Sequence, residues 1–358
     1  MKPTTDPAKT RQEARSMAAY RCQRVMIQLL CAVSMLRTIL TRIVPLAGSG
    51  AWWTALLCML PGAAVYGVFL WGMRLTRVQT LMDLVRACLG RLGGWLLCLV
   101  LPLLLLLDGT ASMTALITMF TEGLGTRGTQ LTMALLTSGV LLTCLHREGL
   151  PRGVYLLRWV MIAAGVLMAA FSVQDVHADS LFPLLGSGTS SLRTALTAGV
   201  SLAWPLVLLL TVPSPQPCRR VGVALMVLLP VLAVVLLLVL TVPHELLIRH
   251  HELAGSLLLP TTYALPAIRT LSQCLLMLVL FLAIGAAAQL ATDQLCAPVA
   301  SPPRWLPYVV LILLAATQVL DIRRLWSFLE QTGPLLLLPL AVLAAVCIPV
   351  ATLRRWKA

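Results

Sequence analysis

Long apolar runs recur along the chain, separated by short polar segments that hold most of the Pro, Gly and charge. The runs are continuous rather than alternating, which predicts membrane helices and argues against the two-residue period of a barrel strand. They fall at approximately 25–46, 52–73, 95–120, 129–145, 154–172, 192–212, 221–242, 264–291, 305–320 and 334–352. Most approach the roughly 20 residues needed to cross a hydrocarbon core of about 30 Å. The pattern predicts an all-α polytopic membrane protein of about ten transmembrane helices. Its parts are a basic tail 1–24, a single membrane domain 25–353 and a second basic tail 354–358.

Two connections carry a pattern of their own. In 76–92 (TRVQTLMDLVRACLGRL), Leu81, Leu84, Val85, Cys88 and Leu89 recur at helical spacing with Arg77, Arg86 and Arg91 among them. That predicts an amphipathic helix lying on the membrane or over the spans. The segment 173–193 (VQDVHADSLFPLLGSGTSSLR) is too polar to insert and leads directly into the sixth span.

Composition agrees with the pattern. Of 358 residues, 59% are hydrophobic and only 11% charged, where soluble domains carry about 25%. A net charge of +14 would point to nucleic acid in a soluble protein, but here its placement serves topology. With the N-terminus cytoplasmic, only Arg127, Arg193, Arg249, Arg269, Arg323 and Arg324 fall on the outer side, while the other loop and tail cations fall inside. The acids Glu122, Asp175, Asp179, Glu245, Glu252, Asp321 and Glu330 lean outward. The positive-inside rule therefore predicts both termini in the cytoplasm, and the basic surplus is expected to meet anionic lipid, with no nucleic-acid partner.

The first span breaks the membrane rules. Arg37 lies roughly 18 Å along the helix from Val25, near mid-bilayer, where a cation costs about 2.5–3.5 kcal/mol even on a lenient scale. It needs a counter-charge or freed backbone carbonyls. Asp108, in PLLLLLDGTASMT with Gly109, Thr110 and Ser112 behind it, is the one comparably deep carboxylate. The two are expected to meet, either as a structural pair or as a site in which the planar guanidinium receives a ligand carboxylate. Arg42 stands nearer the outer interface and is expected to snorkel.

Ten spans also permit five-plus-five inverted halves, about 25–172 and 192–352, with the first helix of each half interrupted near the midplane. Span one carries Ser34, Arg37 and Thr38 near that depth, and span six carries Gly199, Ser201 and the Trp204-Pro205 pair. Pro205 removes a backbone donor and frees a carbonyl about one turn earlier.

Other chemistry is sparse. The ten cysteines show no CxxC and read as small buried hydrophobes, so neither disulfide nor metal is expected. In HELLIRHHE (244–252), His244 and His250 lie six apart. The helical zinc motif needs two histidines four apart, and a solvated loop is the better reading. No phosphate-binding loop or nucleophile elbow occurs, so neither an enzyme nor a cofactor is expected.

Several stretches in order resemble the endospore germination permease family, the B subunit of GerA-type germinant receptors, within the amino acid–polyamine–organocation transporter superfamily. They are GSGAWWTALL (48–57), TLMDLVRACLGRLGGWLLCLV (80–100) and SLFPLLGSGTSSLRTALTAG (180–199), with Pro183, Gly186 and Gly188 in step and Pro213 where the sixth span ends. The resemblance implies a permease-like fold that binds a small-molecule nutrient, such as an amino acid, between spans one, three, six and eight. It also implies A-type and lipoprotein C-type partner subunits in the inner spore membrane. The candidate ligand residues are then Ser34, Arg37, Thr38, Asp108, Thr110, Gly199 and Ser201, joined through the resemblance by Arg269 and Gln273 at the start of span eight. The sequence departs from the family where Arg37 and Thr41-Arg42 replace a glycine region, and where span six lacks an acid. A proton- or sodium-coupled solute transporter and a non-binding scaffold subunit are the alternative readings.

Overall fold

A computed structural model describes residues 7–123, 137, 149–172, 176–183, 188–212, 217–242, 266–296, 305–317 and 337–357. Among the described residues every regular element is helical.

Helix α1 (Pro7–Thr38) carries the basic N-terminal segment into the first apolar run. It does not unwind at 34–38. The chain instead widens just beyond, into a π turn over Ile39–Ile43, before a short α2 (Val44–Ala47) and a 3-10 turn (Gly48–Gly50). Pro45 supplies the reason, since it has no N–H to give the carbonyl four residues back and its ring crowds that turn. Thr38 and Thr41 add to the distortion by donating their hydroxyls to the Ser34 and Arg37 carbonyls, both at 2.9 Å. Gly48, at φ +53° and ψ −125°, then turns the chain into α3 (Ala51–Thr76).

Thr80 caps the next helix, its hydroxyl accepting the Asp83 N–H at 3.1 Å and donating to the Asp83 carboxylate at 2.6 Å. Helix α4 (Leu81–Gly123) is bent at Gly90, whose φ of +72° and ψ of −157° suit glycine alone. The bend separates the amphipathic segment from the membrane segment. Leu81, Leu84, Val85 and Cys88 are buried while Asp83, Arg86 and Arg91 are exposed, so the apolar stripe read from the sequence packs against the bundle.

The chain continues through α5 (Gly149–Ser172), a 3-10 turn (Ala178–Leu181) and α6 (Thr189–Gly199). Residues 200–203 form turns, and a 3-10 helix (Trp204–Leu210) follows. Helices α7 (Pro217–Thr241), α8 (Pro266–Cys296), α9 (Leu306–Thr317) and α10 (Leu338–Lys357) complete the described elements.

Among the described residues, six helical stretches are long and apolar enough to cross a membrane: Ala19–Thr76, Leu81–Ile117, Gly149–Leu167, Thr189–Leu210, Arg220–Thr241 and Gln273–Cys296. The first would measure about 87 Å if straight, and the Gly48–Gly50 turn divides it. Leu306–Thr317 and Leu338–Leu353 are shorter apolar helices. The outer faces are oily, with Leu60, Leu103, Leu156, Met226 and Ile312 all exposed. Such faces fit lipid rather than water. The run 129–145, apart from Thr137, and HELLIRHHE lie outside the described residues.

At one end of the bundle, the buried Arg220 of α7 donates to the Gln79 carbonyl at 2.5 Å and lies 3.1 Å from the Met73 sulfur, while Tyr66 donates to the Arg220 carbonyl at 3.0 Å. At the other end, Ser49 donates to the Pro183 carbonyl at 2.7 Å and the His177 N–H to that of Leu240 at 3.0 Å. The polar 173–193 segment is thus tied down where it is described. Helices α4 and α8 pack most extensively. Buried Ala283, Ala286, Ala287, Ala288 and Ala291 let the backbones approach, as small residues do between membrane helices.

Candidate ligand site

The misplaced charges of spans one and three do meet. Ser34 and Arg37 are one turn apart on α1, so both reach the same oxygen of Asp108 on α4. The Ser34 hydroxyl donates to Oδ1 at 2.6 Å and the Arg37 Nη2 donates to it at 2.5 Å. The Arg37 and Asp108 side chains are 11% and 4% exposed. A buried pair of this kind repays its desolvation only when its remaining donors and acceptors are satisfied.

Here they are not. Arg37 Nε and Nη1, Asp108 Oδ2 and the Ser112 hydroxyl are buried without a protein partner among the described residues. Ser112 stands one turn beyond Asp108, on the same face of α4. The cluster therefore offers two donor nitrogens, a bare carboxylate oxygen and a hydroxyl, with a formal net charge of zero. A small molecule carrying both an acceptor and a donor would complete it.

One turn back on α1, the Cys31 thiol donates to the Pro205 carbonyl at 3.0 Å. This ties the cluster's helix to the break in the sixth apolar run. The break is structural fact at 199–203, where Gly199, Ser201, Leu202 and Ala203 are buried. The Ser201 carbonyl accepts the Trp204 N–H at 3.1 Å, and the Gly199 carbonyl that of Leu202 at 2.8 Å. The backbone at the break thus keeps short-range bonds in place of α-helical ones.

The remaining candidates are placed as follows. Thr38 is occupied with its own helix through the Ser34 carbonyl. Thr110 donates to the Leu106 carbonyl at 2.9 Å and its hydroxyl lies 3.5 Å from that of Thr317, so it faces α9. Gly199 is a close-packing residue: a Cβ there would stand 2.4 Å from the Cys58 sulfur and 3.0 Å from Ile43 Cδ1. Arg269 falls in the first turn of α8 and Gln273 one turn on, half-buried. The α8 residue beside Gly109 is Ala287, 3.4 Å from where a Gly109 Cβ would be. Gln273 is therefore about 21 Å along α8 from the cluster's level and Arg269 about 27 Å. These two belong to another level of the bundle. Arg42 is half-buried in the π turn.

Ser112 stood behind Asp108 in the sequence without being a candidate ligand residue, and its four-residue spacing to Asp108 is the signal for it. Cys31 offered no signal, because a thiol in an apolar run reads as a small hydrophobe. Among the described residues no group of His, Cys, Asp and Glu could hold a metal ion.

No protein-family model matches the chain, and no curated protein matches it.

Proposed function

We propose that the chain is a permease-fold membrane receptor for a small zwitterionic nutrient, acting as the B subunit of a spore germinant receptor. The observation that carries the binding claim is the buried Ser34–Arg37–Asp108–Ser112 cluster with its four polar atoms unpartnered among the described residues. The germinant-receptor assignment rests on the ordered sequence resemblance.

In this reading the ten spans form two inverted halves with both termini in the cytoplasm. Each half opens with a helix that departs from α geometry, at the π turn after Arg37 and at the 199–203 break. The nutrient's carboxylate takes the free edge of the Arg37 guanidinium. Its ammonium group takes Asp108 Oδ2 and the Ser112 hydroxyl. A net-neutral ligand leaves the neutral ion pair balanced, which matters where screening is weak. Occupancy then shifts α1 against the Pro205 contact and is transmitted to A-type and lipoprotein C-type subunits.

A second reading, a proton-coupled solute transporter, draws on the bare Oδ2 of Asp108, since intramembrane carboxylates commonly serve proton relays. Uptake of labelled amino acids into proteoliposomes, with and without a proton gradient, separates the two. The receptor reading expects saturable binding with no accumulation. Gradient-driven accumulation would assign the chain to transport.

A further inference from the structure

Among the described residues, helix α5 is the least covered of the long apolar helices, with only 17% of its most apolar stretch buried against 39–61% for the others. It nevertheless carries a cation inside its apolar stretch. The Arg158 guanidinium lies 3.9 Å from the centroid of the Tyr155 ring and 4.8 Å from that of Trp159, and its Nε is buried without a hydrogen-bond partner among the described residues. Helical side chains lean toward the helix N-terminus, and contact with Tyr155 shows that Arg158 reaches back one turn. That brings its charge level with Val154, toward the N-terminal end of the Gly149–Leu167 stretch. Beyond it, Leu156, Val160, Ala163 and Leu167 recur at helical spacing and are all exposed.

We infer that this face of α5 holds an anionic phospholipid. The phosphate sits on the terminal Nη1–Nη2 edge of the ring-held Arg158 guanidinium, and an acyl chain runs along the Leu156–Val160–Ala163–Leu167 stripe. The two aromatic rings fix the guanidinium by cation–π contact, which leaves its edge for paired bonds to phosphate oxygens. The guanidinium charge of Arg158 favours an anionic lipid over a zwitterionic one. A partner helix would bring apolar side chains to the same level and leave the guanidinium edge without acceptors.

The test uses the full chain purified in detergent with equal phosphatidylglycerol and phosphatidylcholine, and native mass spectrometry to count retained lipid. The wild type is expected to retain phosphatidylglycerol in preference. Arg158→Gln should lower that retention about fivefold, while Arg86→Gln, on the amphipathic segment of α4, should not change it. Should Arg158→Gln fail to fold, brominated phosphatidylglycerol gives a second readout. It should quench a tryptophan component in the wild type that disappears in Trp159→Phe. Equal retention of the two lipids, unchanged retention in Arg158→Gln, quenching indifferent to Trp159, or a dimer that depends on Arg158 would each overturn the proposal.

Discussion

A guanidinium and a carboxylate buried together at mid-bilayer depth are costly unless each is completed by others. In this chain Arg37 and Asp108 share one oxygen with Ser34 and leave the rest of their bonding capacity open. Removing one partner strands the other charge, at a cost of about 3–5 kcal/mol, whereas removing both with apolar residues is far milder. Arg37→Leu and Asp108→Leu should therefore each destabilise the protein strongly, and the double variant should be more stable than either. Denaturation of the three variants in matched detergent reads this directly. Equal losses in the singles and additivity in the double would mean the two side chains do not interact. The pair itself was legible in the sequence, because deep charge in a span demands a partner and Asp108 was the comparable candidate. Ser34 was legible from its depth near the expected interruption of the first span. The Cys31–Pro205 bond was not legible, since it joins residues 174 apart through a backbone carbonyl.

At the scale of elements, two departures from α-helix lie beside the cluster, and they differ in kind. The π turn at Ile39–Ile43 keeps α1 continuous past Arg37, while the 199–203 break separates two helical pieces outright. Sequence reasoning placed an interruption in each span. It could not tell a widened turn from an unwound one, because Pro45 acts on the turn preceding it and the outcome depends on packing. Close packing holds both. A Cβ on Gly62 would come within 2.6 Å of the Ala203 backbone, and one on Gly199 within 2.4 Å of the Cys58 sulfur. Gly62→Ala and Gly199→Ala should each cost about 1–3 kcal/mol through overpacking. The second should be relieved by Cys58→Gly, because its obstacle is a side chain. The first meets backbone and has no such relief. Thermal unfolding of these variants checks the contrast, and rescue of Gly62→Ala by Cys58→Gly would contradict it.

Across the whole molecule, the arrangement joins a held frame to a polar centre. Arg220 fastens α7 to the end of α3 at one end, and Ser49 and His177 fasten the described part of the 173–193 segment at the other. Between them, one face of α1 meets both α4, through Asp108, and the broken sixth run, through Pro205. The helical, lipid-facing character of the chain was readable from its apolar runs. The level of Arg269 and Gln273 was not, because it depends on how α8 registers against α4, and that register is set by the alanine stripe meeting Gly109. The central claim is that the Arg37–Asp108 cluster binds a small zwitterion. Its most direct test is equilibrium binding of a labelled pool of amino acids to the full chain in nanodiscs, comparing the wild type with Arg37→Gln and Asp108→Asn variants that remain folded. The account expects saturable binding by the wild type, weakened about tenfold or more in each variant as a charge-assisted hydrogen bond is lost. Absence of binding by the wild type, or equal binding by all three, would contradict it.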